Sequence, residues 1–66
     1  MNPKDTAFEI YMRYKGENEL FSDLDKCLFY VNEMIDFFEV FIDRNEIEFY
    51  NEVKRELINL WHKNEK

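Results

Sequence analysis

A chain of 66 residues is long enough for one small domain, and it buries only about 60% of the surface that it exposes when unfolded. Its hydrophobic residues make up 45% of the chain and include seven Phe, four Tyr and one Trp, which is too many for a disordered protein. One cysteine excludes an internal disulfide framework, and no apolar run reaches the roughly 18–20 residues of a membrane span. No basic stretch leads into an apolar one at the start, so we expect no signal peptide, no membrane association and a cytoplasmic location.

The first predicted helix covers about residues 3–15. Asn2 is a suitable N-cap before Pro3, which favours the first helical position, and Gly16 is typical of the residue just after a helix ends. Helical spacing predicts one apolar stripe on this helix, with Ile10 and Met12 outside it. The stripe consists of Ala7, Phe8, Tyr11 and Tyr14.

The second predicted helix covers about residues 19–43. Asn18 and Ser22 are both suitable caps, and Ser22 with Asp25 resembles a capping box. A heptad pattern then predicts a buried stripe that is wider than the seam of a two-stranded coiled coil. Its seam positions are Leu20, Leu24, Cys27, Val31, Met34, Phe38 and Phe41, and its flanking positions are Phe21, Leu28, Ile35 and Ile42.

The third predicted helix covers about residues 46–64, after a turn at 43–45 in which Asn45 is the expected cap. The heptad phase of the second helix would place Asn45 and Glu48 on the buried seam, so the pattern favours a hairpin of two helices. No Gly or Pro enforces the turn, and one continuous helix stays open as an alternative. The predicted core face of the third helix is Ile47, Tyr50, Val53, Leu57, Leu60 and Trp61.

These elements predict an all-α fold. We expect a single domain over residues 1–66, built as a small three-helix bundle in which the second and third helices form a hairpin and a shorter N-terminal helix completes the core. We also expect the bundle to be oligomeric, with a homodimer as the first candidate, because the second helix carries more apolar surface than two short neighbours can cover.

The net charge of −6 is concentrated in the middle of the chain. Residues 17–43 carry eight acidic side chains against Lys26 alone, a net charge of −7, whereas residues 1–16 sum to +1 and residues 44–66 to zero. Such a segment repels phosphate backbones, so we expect no direct binding of nucleic acid. It favours encounter with a protein that has a basic surface, although net charge also serves solubility alone.

Large apolar side chains on the far side of the second helix indicate a contact with another polypeptide. Phe29 and Val40 face away from the heptad seam, beside Glu33 and Asp36. Exposed apolar patches rimmed by charge usually mark protein-binding sites, although single surface hydrophobes are common. The predicted partner-binding residues are Asp25, Phe29, Glu33, Asp36, Phe37, Glu39, Val40 and Asp43.

The sequence offers little material for catalysis. Cys27 lies on the predicted seam, where a cysteine acts as a small hydrophobe, and the only histidine, His62, is in the last predicted turn. Asp36, Glu39 and Asp43 form an outward row of carboxylates without the partners that a helical metal site needs. We therefore predict no catalytic, cofactor-binding or metal site, and a protein that is not an enzyme.

Two functions fit these patterns. The first is a small acidic regulator or inhibitor that docks on a larger, basic protein through its central helix. One version covers a nucleic-acid-binding surface by mimicry, but one net charge per roughly 6 Å of helix is sparse against one per about 1.7 Å of duplex DNA. The alternative is a self-assembling helical scaffold that needs no separate partner.

Overall fold

Three α-helices form the fold. The computed structural model describes residues 2–16 and 22–64, with helices α1 (Pro3–Tyr14), α2 (Asp23–Val40) and α3 (Arg44–Asn64). Within those ranges there is no strand, and the predicted all-α three-helix bundle is confirmed. The chain reverses after α2, so the hairpin prediction is correct and the alternative of one continuous helix is wrong.

The caps that the sequence predicts for α1 are present. The Oδ1 atom of Asn2 accepts a hydrogen bond from the Asp5 N–H at 2.8 Å, and Pro3 occupies the first helical position. Gly16 follows the helix with a φ of 71°, in the left-handed region that glycine enters without a steric penalty. The helix ends at Tyr14, one residue before the predicted end.

Helix α2 is shorter than predicted. Ser22 is its N-cap, since its Oγ accepts a hydrogen bond from the Asp25 N–H at 3.1 Å. The predicted residues 19–21 lie outside the described residues, whereas the predicted C-terminal end at residue 43 is wrong because α2 ends at Val40. The chain turns after Val40, and Asp43 is the N-cap of the next helix.

Asp43 caps α3 in place of Asn45. The Oδ1 atom of Asp43 accepts a hydrogen bond from the Glu46 N–H at 3.2 Å, and its carbonyl oxygen accepts one from the Ile47 N–H at 3.0 Å. An aspartate is as good a cap as an asparagine, and it lies two residues earlier, so α3 begins at Arg44 instead of residue 46.

The core draws on all three helices. The buried side chains are Ala7, Ile10 and Tyr11 of α1, Cys27 and Val31 of α2, and Val53 and Leu57 of α3. The heptad prediction for α2 holds over its middle turns, where the half-buried Leu24, Leu28 and Ile35 pack against this core. It fails at Phe41 and Ile42, which lie beyond the end of the helix and are exposed. Leu20 and Phe21 lie outside the part of the chain that the structure describes.

The predicted apolar stripe of α1 is wrong at one of its four residues. Ile10, predicted outside the stripe, is buried with 5% of its surface exposed. Phe8, predicted within the stripe, is 46% exposed. Ala7, Ile10, Tyr11 and Tyr14 follow the spacing i, i+3, i+4, i+7, which covers a narrower arc of the helix than the predicted stripe. The packing of α1 between α2 and α3 selects that stripe over the one through Phe8.

The carboxylate of Asp23 connects the end of α1 to the start of α2. The Gly16 N–H donates a hydrogen bond to Oδ1 of Asp23 at 2.9 Å, and the Nζ atom of Lys26 lies 3.2 Å from the same oxygen. The backbone hydrogen bond, with a smaller contribution from Lys26, lowers the pKa of Asp23 below its usual value of 3.8.

We expect Asp23→Asn to lower the stability of the domain at pH 7 by about 1 kcal/mol, because the amide accepts the Gly16 hydrogen bond without a charge. A carboxyl whose pKa is lowered by folding stabilises the fold above pH 3.8, and that contribution is lost as the pH falls through the folded-state pKa. Urea unfolding at pH 7 and at pH 2.5 should therefore show a difference between the two proteins that is smaller at the lower pH. An equal difference at both pH values would contradict the assignment to the charge.

Candidate protein-binding surface

Five predicted partner-binding residues lie on one line along α2. Asp25, Phe29, Glu33, Asp36 and Val40 follow one another at intervals of four, four, three and four residues, which is the spacing of one helix face. We call this line the outward stripe. All five residues are exposed, with Phe29 at 68% and Val40 at 77%, so the stripe combines three acidic side chains with two large apolar ones.

Phe37 and Glu39 flank the outward stripe. Phe37 is 55% exposed, and its ring centroid lies 5.4 Å from that of Phe38 and 5.0 Å from that of Phe41. Phe38 in turn stacks on Tyr50 of α3 at 5.8 Å. The exposed ring of Phe37 therefore packs against Phe38, whose own ring stacks on α3.

The charge of this face has one sign. Lys26 is the only basic residue of α2, and its Nζ is buried beside Asp23 instead of lying among the carboxylates of the stripe. The last turn of α2 has no basic residue, although the helix dipole makes that end favourable for cations. An approaching partner therefore meets uncompensated negative charge.

Asp43 differs from the other predicted residues. Its side chain is half-buried and caps α3 through the Glu46 N–H, so this carboxylate already has a structural partner. Two residues next to it are exposed, although the heptad pattern predicts Phe41 as a seam position and Ile42 as a flanking position of the buried stripe. The capping preference of Asp43 was the signal that α2 ends before them.

The remaining chemistry of the described residues is sparse. Cys27 is buried with its Sγ 3.8 Å from the Ile10 carbonyl oxygen, and burial raises the pKa of this thiol to about 11. Over residues 2–16 and 22–64, no group of three or more His, Cys, Asp or Glu side chains could hold a metal ion. A shallow groove of about 110 Å³ between α1 and α3 contains one charged side chain, that of Lys15. That the protein is not an enzyme stays a prediction.

None of the helices that the structure describes is both long and apolar enough to span a membrane. No family model, curated protein or solved structure matches the chain. The chemistry of α2 is therefore the basis for assigning a function.

Proposed function

We propose that this protein is a small non-enzymatic regulator or inhibitor that binds a larger, basic protein through α2. The observation that carries the proposal is the outward stripe, in which two large apolar side chains are exposed among three carboxylates. An apolar patch rimmed by charge is the usual composition of a protein-binding site.

The apolar part of the stripe supplies affinity. Full burial of a side chain such as Phe29 or Val40 contributes roughly 1.5–3 kcal/mol, and in the isolated domain most of that contribution is unused. Interfaces commonly draw most of their binding free energy from a few such anchors. Phe29 and Phe37 are the strongest candidates, because aromatic side chains are enriched among them.

The charged part of the stripe selects the partner. Carboxylates without nearby cations favour a surface rich in Lys or Arg, and they accelerate its association at low ionic strength. One such surface is the nucleic-acid-binding face of another protein. The spacing of the carboxylates supports local imitation of a few phosphates and does not support imitation of a whole duplex, which has one charge per about 1.7 Å.

The predicted homodimer remains a second candidate, with the exposed apolar side chains of α2 in its favour. A symmetric dimer through the outward stripe would bring the three carboxylates of each copy into one interface with no basic residue of the stripe to balance them, which is unfavourable. Light scattering at low and high salt separates the two. A homo-oligomer that persists at both salt concentrations and captures no other protein supports the scaffold, and a monomer that captures a basic protein at low salt supports the regulator.

The double variant Asp36→Lys with Glu39→Lys should lose partner capture by at least tenfold while remaining folded. Two lysines near the C-terminus of α2 agree with the helix dipole, so helicity should be unchanged or slightly higher. The measurement is affinity capture from an extract of the native host at low salt, with quantitative mass spectrometry of the retained proteins and far-UV circular dichroism of each variant.

The matched control is Glu9→Lys with Glu48→Lys, which makes the same change in net charge at exposed positions of α1 and α3. This control should capture the partner as the wild type does. If both double variants lose the partner equally, net charge alone governs binding and the assignment to α2 is wrong. If neither loses it, the acidic face only keeps the protein in solution.

A further inference from the structure

The chain reverses between α2 and α3 through a turn in which isoleucine occupies the position where glycine is usual. The Ile42 N–H donates to the Glu39 carbonyl oxygen at 3.1 Å, and the Asp43 N–H donates to the Phe38 carbonyl oxygen at 3.0 Å. This pair of hydrogen bonds defines a Schellman turn, whose residue after the C-cap is left-handed. That residue is Ile42, with a φ of 54°.

Ile42 is unfavourable for the isolated domain on two counts. A β-branched side chain in the left-handed region collides with its own backbone, which is why glycine or asparagine is preferred there. Its side chain is also 76% exposed, so it gains little from packing inside the domain. Glycine at position 42 would make the isolated protein more stable. A contact between the exposed isoleucine side chain and another molecule would explain why isoleucine occupies this position.

Ile42 is part of a larger apolar surface at this corner. Phe41 is 67% exposed, and the ring of Phe37 lies against it. With Val40 at the end of the outward stripe, these residues bring four exposed apolar side chains together within six positions. We call Phe37, Val40, Phe41 and Ile42 the corner patch.

Negative charge surrounds the corner patch on α2. Asp36 and Glu39 are exposed on the last turns of the helix, at the end where the helix dipole is itself negative. Asp43 caps α3, and Arg44, also exposed, is the one cation between residues 36 and 44. That segment carries a net charge of −2.

We propose that the corner patch anchors a basic amphipathic helix of the partner protein, an inference that rests on the proposed function. Apolar side chains at i, i+3 and i+4 of such a helix would cover Phe41 and Ile42, and the Lys and Arg side chains between them would reach Asp36 and Glu39. A helix fits because the outward stripe runs for about 22 Å along α2, and residues 2–16 and 22–64 contain no strand whose edge an extended peptide could join. A second copy of this chain is less suitable, since its own α2 repeats the negative charge.

The test uses a fluorescent 17-residue helical peptide of leucine and lysine as the probe, with lysine confined to one face. Fluorescence anisotropy at low salt measures its affinity, and thermal unfolding measures stability. Ile42→Gly should weaken probe binding at least tenfold and raise the melting temperature by about 4 °C. Phe41→Ala should weaken binding to the same extent without that rise. Ile42→Val retains both the side-chain branch and the apolar surface, and should bind within threefold of the wild type.

Four outcomes would contradict the assignment of the anchor, the proposed function of α2, or both. If Ile42→Gly and Phe41→Ala bind the probe as the wild type does while the Asp36→Lys, Glu39→Lys variant does not, the anchor assignment is wrong and the acidic surface stands. If none of these variants loses the probe, both proposals fail. A peptide of the same composition in scrambled order that binds equally well would overturn the requirement for a helix. A wild-type dimer that Ile42→Gly dissociates would show that a second copy is the occupant.

Discussion

Leu57→Ala should leave the chain largely unfolded at 37 °C. Leu57 is 1% exposed and is the largest of the fully buried side chains. Truncating a buried leucine to alanine costs about 2–5 kcal/mol, and a core of this size rarely supplies more than about 3–5 kcal/mol. Thermal unfolding followed by far-UV circular dichroism measures the effect, which should appear as a loss of most helical signal at that temperature.

The control for Leu57→Ala is Ile58→Ala, the next position on the same helix. Ile58 is 38% exposed, so its truncation removes less buried surface and should cost about 1 kcal/mol or less. If Leu57→Ala instead unfolds at the temperature of the wild type, the core does not pass through this side of α3.

Phe29→Ala with Val40→Ala should have the opposite effect, because these side chains lie outside the core. We expect the free energy of unfolding to stay within about 1 kcal/mol of the wild type, since both residues are mostly exposed and alanine favours the helix. Affinity for the captured partner should fall at least about 30-fold, because truncating a central anchor costs about 2 kcal/mol or more and about 1.4 kcal/mol is tenfold in affinity. Urea unfolding and a binding titration measure the two quantities on the same samples.

A matched pair on α1 provides the control for this loss of affinity. Phe8→Ala with Met12→Ala also removes two exposed apolar side chains, but from another helix. This variant should bind the partner as the wild type does. An equal loss from both pairs would mean that the partner contacts the whole domain and that α2 has no special part in binding.

Local chemistry was sufficient to predict most of the fold. Asn2 and Ser22 accept the capping hydrogen bonds that their side chains favour, and Gly16 has the left-handed conformation that glycine adopts after a helix, so the two ends of α1 and one of the two predicted caps of α2 follow from local signals. Heptad spacing predicted Cys27 and Val31 as buried residues of α2. These features depend on neighbours within one turn, which a sequence displays directly.

The errors arose where one local preference competed with another. Asp43 and Asn45 are both good caps, and the choice of the first shortened α2 and exposed Phe41 and Ile42. On α1, two overlapping stripes were available, and packing against α2 and α3 selected the one through Ile10. The left-handed conformation of Ile42 was not predictable, because intrinsic preference argues against it.

Site-specific photocrosslinking tests most directly whether another polypeptide covers α2. Phe29 would be replaced by benzoylphenylalanine in cells of the native host, with the same replacement of the exposed Phe8 on α1 as the reference position. We predict that irradiation joins position 29, but not position 8, to one basic protein larger than this chain. Equal adducts from both positions, no adduct from position 29, or an adduct of two copies of this chain would contradict the account.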